Sequence, residues 1–252
     1  MSACFDAVCD DFYVSSRLFL KLDMSLERDT VLNFFDRIRK ALPMLTKFRR
    51  RDDGCLILEE EQRAGNESRR WVRLEPASLR FGHFAPPDSS TVREMAEVIL
   101  EHAPYYLTFS ELDFDHLEVV YGFDLEYRGN HDQMVAETFY SDHLLAGFVL
   151  SDEAVHAIDA QPYLGIALTP ECDLQAYAEV KSRSSTFEVR TGEYEKQPVS
   201  VYLTVRKYWG LARSGALLEV QRLLLDTADE LATNRVVPIL IHPLAQAIAS
   251  RS

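Results

Sequence analysis

Between Leu112 and Asp132 the chain reads LDFDHLEVVYGFDLEYRGNHD, a run carrying six carboxylates and two histidines. Such a density could supply oxygen ligands to a hard cation, or an acid and a base to a reaction. Calcium-type loops set their oxygens at close intervals around a glycine at the sharp turn. Asp113-Phe114-Asp115-His116 has no such glycine. Strand alternation accounts for the same residues: Leu117, Val119, Tyr121, Phe123, Leu125 and Tyr127 share one face, while His116, Glu118, Val120, Gly122, Asp124 and Glu126 share the other. A half-buried strand with one wet face makes a row of carboxylates and requires no site. Neighbours in such a row stand about 7 Å apart, too far to share one cation unaided. No metal site is assigned here. Glu118, Asp124 and Glu126 are expected to meet Arg206 or Lys181 across a sheet.

His131 and Asp132 follow Asn130, and Gln133 lies three residues beyond that asparagine, the spacing of a capping box at a helix start. The helix dipole there favours anions and the neutral form of a histidine, which makes His131 a candidate contact for a small acidic or polar ligand. His83, in RFGHFAPPD, lies where a strand gives way to a helix, and His242 is placed at the end of a last strand. The chain contains no GxGxxG, Walker loop, HExxH or GxSxG, and only ten glycines to bring backbone close to phosphate. No cofactor is assigned, and no catalytic residue.

The formal net charge is −13. Residues 1 to 104 hold 16 Lys+Arg against 18 Asp+Glu, so the excess lies in the second part, with 11 against 22. Phosphate backbones demand a basic surface, so nucleic acid is not an expected partner. The clusters Arg49-Arg50-Arg51 and Arg69-Arg70 read as solvated strand ends. No apolar run reaches membrane-spanning length and no leader is evident, so a cytoplasmic setting is expected. The cysteines Cys4, Cys9, Cys55 and Cys172 form no CxxC pair, which fits reduced thiols.

Two similar cycles of elements must position these residues. In the first, Phe12, Val14, Ser16, Leu18, Leu20 and Leu22 form one strand face, and Ser25 is placed to cap a helix carrying Val31, Phe34, Phe35, Ile38 and Leu42 up to Pro43. Asp53-Gly54 turns into a strand at Cys55 to Leu58. A polar loop, Ala64 to Ser68, leads to one strand through Trp71, Val72, Leu74, Leu79 and Phe81. Asp88, Ser89 and Ser90 offer caps to a helix with Val92, Met95, Ala96 and Ile99, and YYLTFS closes the cycle as a short strand. The second cycle starts at Leu117. It runs through a helix to about Val149, strands near Tyr163 to Leu168, Leu174 to Lys181 and Val199 to Tyr208, a helix capped by Ser214 with Val220 on its main stripe, and VVPILI as an edge strand.

Leu18, Leu20 and Leu22 precede Tyr121, Phe123 and Leu125 by a constant interval of 103 positions. The expectation is an α+β protein of two tandem ferredoxin-like (β-α-β-β-α-β) units, 1–110 and 111–252, related by pseudo-twofold symmetry, with antiparallel sheets and helices on one face. Such a layer leaves its other sheet face to water, ligand or partner. Strand phase and helix position nominate Arg17, Arg73, Asp124, Glu126, His131, Tyr177, Tyr202 and Arg206 as ligand-binding candidates. The function that fits is a non-catalytic binding or assembly protein acting through that face, as a homo-oligomer. The alternative is an enzyme binding a small molecule or a haem-type cofactor between the two repeats.

Overall fold

The computed structural model describes residues 5–61, 67–152, 155–210 and 215–251. It is an α+β protein in which one open sheet of nine antiparallel strands packs against helices. The first part runs β1 (Asp11–Leu20), α1 (Arg28–Ala41), β2 (Leu45–Arg50), β3 (Leu56–Glu60), β4 (Arg69–Glu75), β5 (Ser78–Phe84) and α2 (Ser89–Leu107). The second runs β6 (Phe114–Tyr127), α3 (His131–Tyr140), α4 (Ala146–Val149), β7 (Tyr163–Ala167), β8 (Leu174–Lys181), α5 (Thr186–Thr191), β9 (Gln197–Tyr208), α6 (Leu217–Leu231) and, beyond a π-helical stretch (Ala232–Ile241), α7 (His242–Ala249). Across the sheet the order is β2-β3-β4-β5-β1-β6-β9-β8-β7. The two parts therefore meet at the centre, where β1 and β6 pair from Asp11↔Asp124 to Leu20↔Phe114.

Alternation decides which face is covered. Phe12, Val14 and Leu18 of β1, Leu117, Val119 and Phe123 of β6, and Val201, Leu203 and Val205 of β9 are buried. Above them lie Phe34, Phe35 and Ile38 of α1, Met95 and Ile99 of α2, and Val220, Leu224 and Ala228 of α6, all buried as their helical spacing requires. Polar ties fix α6 to the sheet. Gln221 Nε2 donates to Ser16 Oγ at 2.9 Å, and the Tyr121 hydroxyl donates to Asp229 Oδ1 at 2.6 Å. Arg93 of α2 clasps Asp226 and Asp229, each at 2.8 Å. Among the described residues no helix is long and apolar enough to cross a membrane. Cys9, Cys55 and Cys172 are free thiols.

Several expected elements differ. The single strand through Trp71 and Phe81 is a hairpin, β4 and β5, turned at Pro76-Ala77, and a further strand, β2, precedes β3. Four strands thus separate α1 from α2, where a ferredoxin-like unit has two. YYLTFS is no strand: Tyr105 to Leu107 end α2, and Thr108 takes the left-handed conformation with φ 55°. VVPILI is no strand either, because it continues α6 as a π-helix that buries Val236, Val237 and Ile241. The wider turn tolerates Pro238, whose ring would clash with the preceding carbonyl in a regular helix. Glu27, not Ser25, stands at the N-cap of α1. Ser214, residues 64–66 of the polar loop and Cys4 lie outside the described residues; α6 begins after Ala216, whose N–H donates to Glu219. Leu218, Leu223 and Leu225 widen the apolar stripe of α6, and within the chain Leu225 is buried, Leu218 is partly buried and Leu223 is exposed.

Candidate functional site

The uncovered sheet face is lined by residues of the opposite phase. On it, cross-strand register sets one row straight across five strands: Arg73↔Arg80, Arg80↔Arg17, Arg17↔Glu118 and Glu118↔Arg206. Arg17 binds Glu75 at 2.5 Å and donates from Nε to Ser78 Oγ at 3.1 Å, while Arg73 lies 3.8 Å from the same Glu75. Arg206 places Nε and Nη2 on one Glu118 oxygen, at 3.1 and 2.7 Å, and Nη1 on the Tyr208 hydroxyl at 3.0 Å. Among the described residues the hydrogen bonding of Arg80 is limited to a long contact, 3.5 Å, to Ser15 Oγ, and no carboxylate forms an ion pair with it. Burial pushes its pKa down, the neighbouring charges of Arg17 and Arg73 push the same way, and Glu118 and Glu75 pull against them.

Aromatic rings form the floor around this row. Trp71, Tyr13 and Tyr177 each lie flat over a glycine, where an added Cβ would meet ring atoms at 2.7 Å (Gly82), 2.3 Å (Gly122) and 2.7 Å (Gly165). Only a residue without a side chain permits so close an approach. Tyr13 stacks on Phe84 with centroids 5.8 Å apart and reaches across β6 to donate to the Tyr202 hydroxyl at 3.1 Å. Tyr163 stacks on Tyr177 at 5.7 Å. The guanidinium groups of Arg73 and Arg80 approach the Trp71 ring at 5.5 and 5.3 Å, that of Arg17 the Phe19 ring at 4.2 Å, and that of Arg206 the Tyr177 ring at 5.5 Å. Each is a cation–π geometry.

Of the residues nominated from sequence, Arg17, Arg73 and Arg206 lie in this single row, with Tyr177 and Tyr202 on the floor beside it. Asp124 and Glu126 share the face but sit toward the far end of β6. Glu126 pairs with Lys196 rather than with Lys181, and Asp124 keeps one buried oxygen without a partner. Burial pushes the Asp124 pKa up, against the pull of Ser200 and Arg183. His131 is elsewhere. Its ring is buried under the N-terminus of α3, where Nδ1 accepts from the Arg183 N–H at 3.3 Å and Nε2 faces the Tyr127 carbonyl at 3.3 Å. That pairing assigns the proton to Nε2 and uses both nitrogens within the chain. Asn130 caps the helix through Gln133 N, but the Gln133 side chain turns to Glu137 and Ala157 instead of closing a box. His242 is the first residue of α7.

Three contributors escaped the sequence reading: Arg80, Trp71 and Tyr13. The alternation in SLRFGHF points Arg80 outward once β5 is separated from β4, so its signal was present. Among the described residues no three His, Cys, Asp or Glu side chains converge as a metal site. Where the two parts join, β1 pairs with β6, and a small cavity of about 10 Å³ beside that ladder is lined by Phe12, Val14 and Tyr121 with Arg93 of α2 and Asp229 of α6. Larger clefts lie at the periphery: one of about 740 Å³ between the start of α1 and the β2–β3 hairpin, and one of about 820 Å³ beside α5, lined by Glu188, Glu193 and Glu195. No protein-family model matches the chain, and a search of curated proteins finds no match.

Proposed function

We propose that this chain is a non-catalytic binding and assembly protein whose working surface is the uncovered sheet face. The observation that carries this reading is the set of three aromatic rings laid over three glycines on the sheet face opposite the one that α1, α2 and α6 cover. A glycine inside a strand costs roughly 0.5–1 kcal/mol relative to alanine, so the arrangement gives up stability for a flat aromatic surface with arginines aimed across it. Tyrosine, tryptophan and arginine are also the residues that dominate the energetics of recognition surfaces.

The proposal extends to homo-oligomers and to an origin by duplication. Each part consists of a strand, a helix, an antiparallel meander and a helix, and in each the last meander strand lies beside the first strand of its own part. β1 and β6 are antiparallel neighbours, as a pseudo-twofold axis between them requires. Under this reading the tandem units are expanded relatives of the ferredoxin-like arrangement, with domains 1–110 and 111–252 fused through one sheet and acting in the cytoplasm. For assembly, β7 offers an unpaired backbone edge and exposed Tyr163, Leu164 and Ile166, a form that joins a second copy edge to edge.

Sedimentation velocity at micromolar concentration tests the assembly. A dimer or larger species is expected, and Ile166→Lys should shift it to monomer without lowering the melting temperature. A wild-type protein that stays monomeric across that range removes the assembly reading.

A further inference from the structure

We infer that the row Arg73–Arg80–Arg17 is a binding site for a phosphoryl-bearing small molecule, with a diphosphate group seated on Arg80 between its two neighbours. The inference rests on the open face being the working surface, and it names the chemistry that face takes. Like charges directly opposite one another across strands destabilise a sheet, yet three guanidinium groups occupy adjacent register positions here. The local balance is Arg17, Arg73, Arg80 and Arg206 against Glu75 and Glu118, an excess of two positive charges. A dianionic or more highly charged ligand cancels that excess.

Donor supply points to the same class. A guanidinium has five N–H donors in a planar fork. Among the described residues, Glu75 and Ser78 take two nitrogens of Arg17, the Nε of Arg73 is buried with no hydrogen-bond partner, and the hydrogen bonding of Arg80 is limited to its long contact to Ser15. One carboxylate has two oxygens and cannot fill so many donors. A diphosphate offers oxygens on two adjacent centres, and arginine forks match their geometry. The row extends over two strand spacings, about 10 Å, so all three forks can close on one such group. The Trp71 ring beneath Arg73 and Arg80 gives an optical report, because an anion that draws the guanidinium groups toward itself changes the field over the indole.

Trp71 and Trp209 are the only tryptophans, so a Trp209→Phe background isolates the reporter. Inorganic pyrophosphate is titrated at constant ionic strength by calorimetry and by Trp71 fluorescence, with citrate and sodium chloride as controls. Saturable binding of pyrophosphate is expected, weakened at least tenfold in Arg80→Gln and to an intermediate degree in Arg80→Lys, with neither variant melting below wild type. An absent or unsaturable response, an equal response to citrate or chloride, or affinity in Arg80→Gln within twofold of wild type overturns the site. Sedimentation of the same samples separates the two readings. Lost affinity with unchanged assembly is the expected behaviour of Arg80→Gln. A monomeric wild type that still binds pyrophosphate sinks the assembly reading and leaves this site standing.

Discussion

Gly122→Ala tests the close fit on the open face. The added methyl would stand 2.3 Å from Cε2 and Cζ of Tyr13, far inside van der Waals contact, so the ring must swing off the sheet. Forced repacking of this kind costs about 1–3 kcal/mol. Displacing the ring also breaks the hydrogen bond to the Tyr202 hydroxyl, a loss of about 0.5–1.5 kcal/mol. Against these, replacing glycine where the backbone has ordinary negative φ returns about 0.4–1 kcal/mol by restricting the unfolded chain. The balance is a destabilisation of about 1–3 kcal/mol. In a Tyr13→Ala background the clash is gone, and the same substitution should be neutral or stabilising by about 0.5 kcal/mol. Urea unfolding of the four proteins in this double-mutant cycle gives the coupling directly. A value of about 1–3.5 kcal/mol is expected, and one below about 0.5 kcal/mol refutes the claim that Gly122 exists to admit the ring.

Two further outcomes follow from buried titratable groups. His83 is buried, and its pKa is pushed down to about 4, first by burial and then by Arg70. The unfolded chain binds a proton near pH 6.5 while the folded chain does not, so stability should fall as pH drops from about 6.5 to 4, by up to ~3 kcal/mol. His83→Gln should flatten that part of the stability–pH curve, and an unchanged slope would sink the assignment. Asp124→Asn removes a carboxylate whose pKa burial raises, so it should leave stability within about 1 kcal/mol of wild type or raise it slightly. Calcium, magnesium and manganese should leave the melting temperature unmoved. A shift of several degrees in wild type that vanishes in Asp124→Asn would establish a cation site.

What was legible in the sequence was phase. β1 and β6 alternate cleanly, so Arg17, Glu118 and Asp124 fell on the correct face, and the buried stripes of α1 and α6 were read by their helical spacing. Register was not legible, because it depends on which strand lies beside which. The alignment of Arg73, Arg80 and Arg17 needs β5 to lie between β4 and β1. That hairpin was hidden because its Pro76-Ala77 turn lacks the glycine or asparagine that marks a tight reversal. The π-helix was misread for a related reason. Val236, Val237, Ile239 and Ile241 are strand-forming types around a proline, and the tertiary burial of Val236, Val237 and Ile241 favours the helix instead. His131 matched the expected position and differed in role, since neither its spacing nor its cap discloses that Arg183 and Tyr127 close on the ring.

The central pairing of β1 with β6 has a consequence for how the chain acquires its shape. β1 is synthesised about a hundred residues ahead of β6, the partner for one of its edges. Until β6 is made, an incomplete sheet ends in the backbone of β1, whose unsatisfied N–H and carbonyl groups are a template for any extended strand nearby. Contacts of such long sequence separation also slow folding, because the loop must close before the pairing rewards it. The N-terminal part therefore carries an open β1 edge until β6 pairs with it. The nine-stranded sheet is complete only once β6 has closed onto β1.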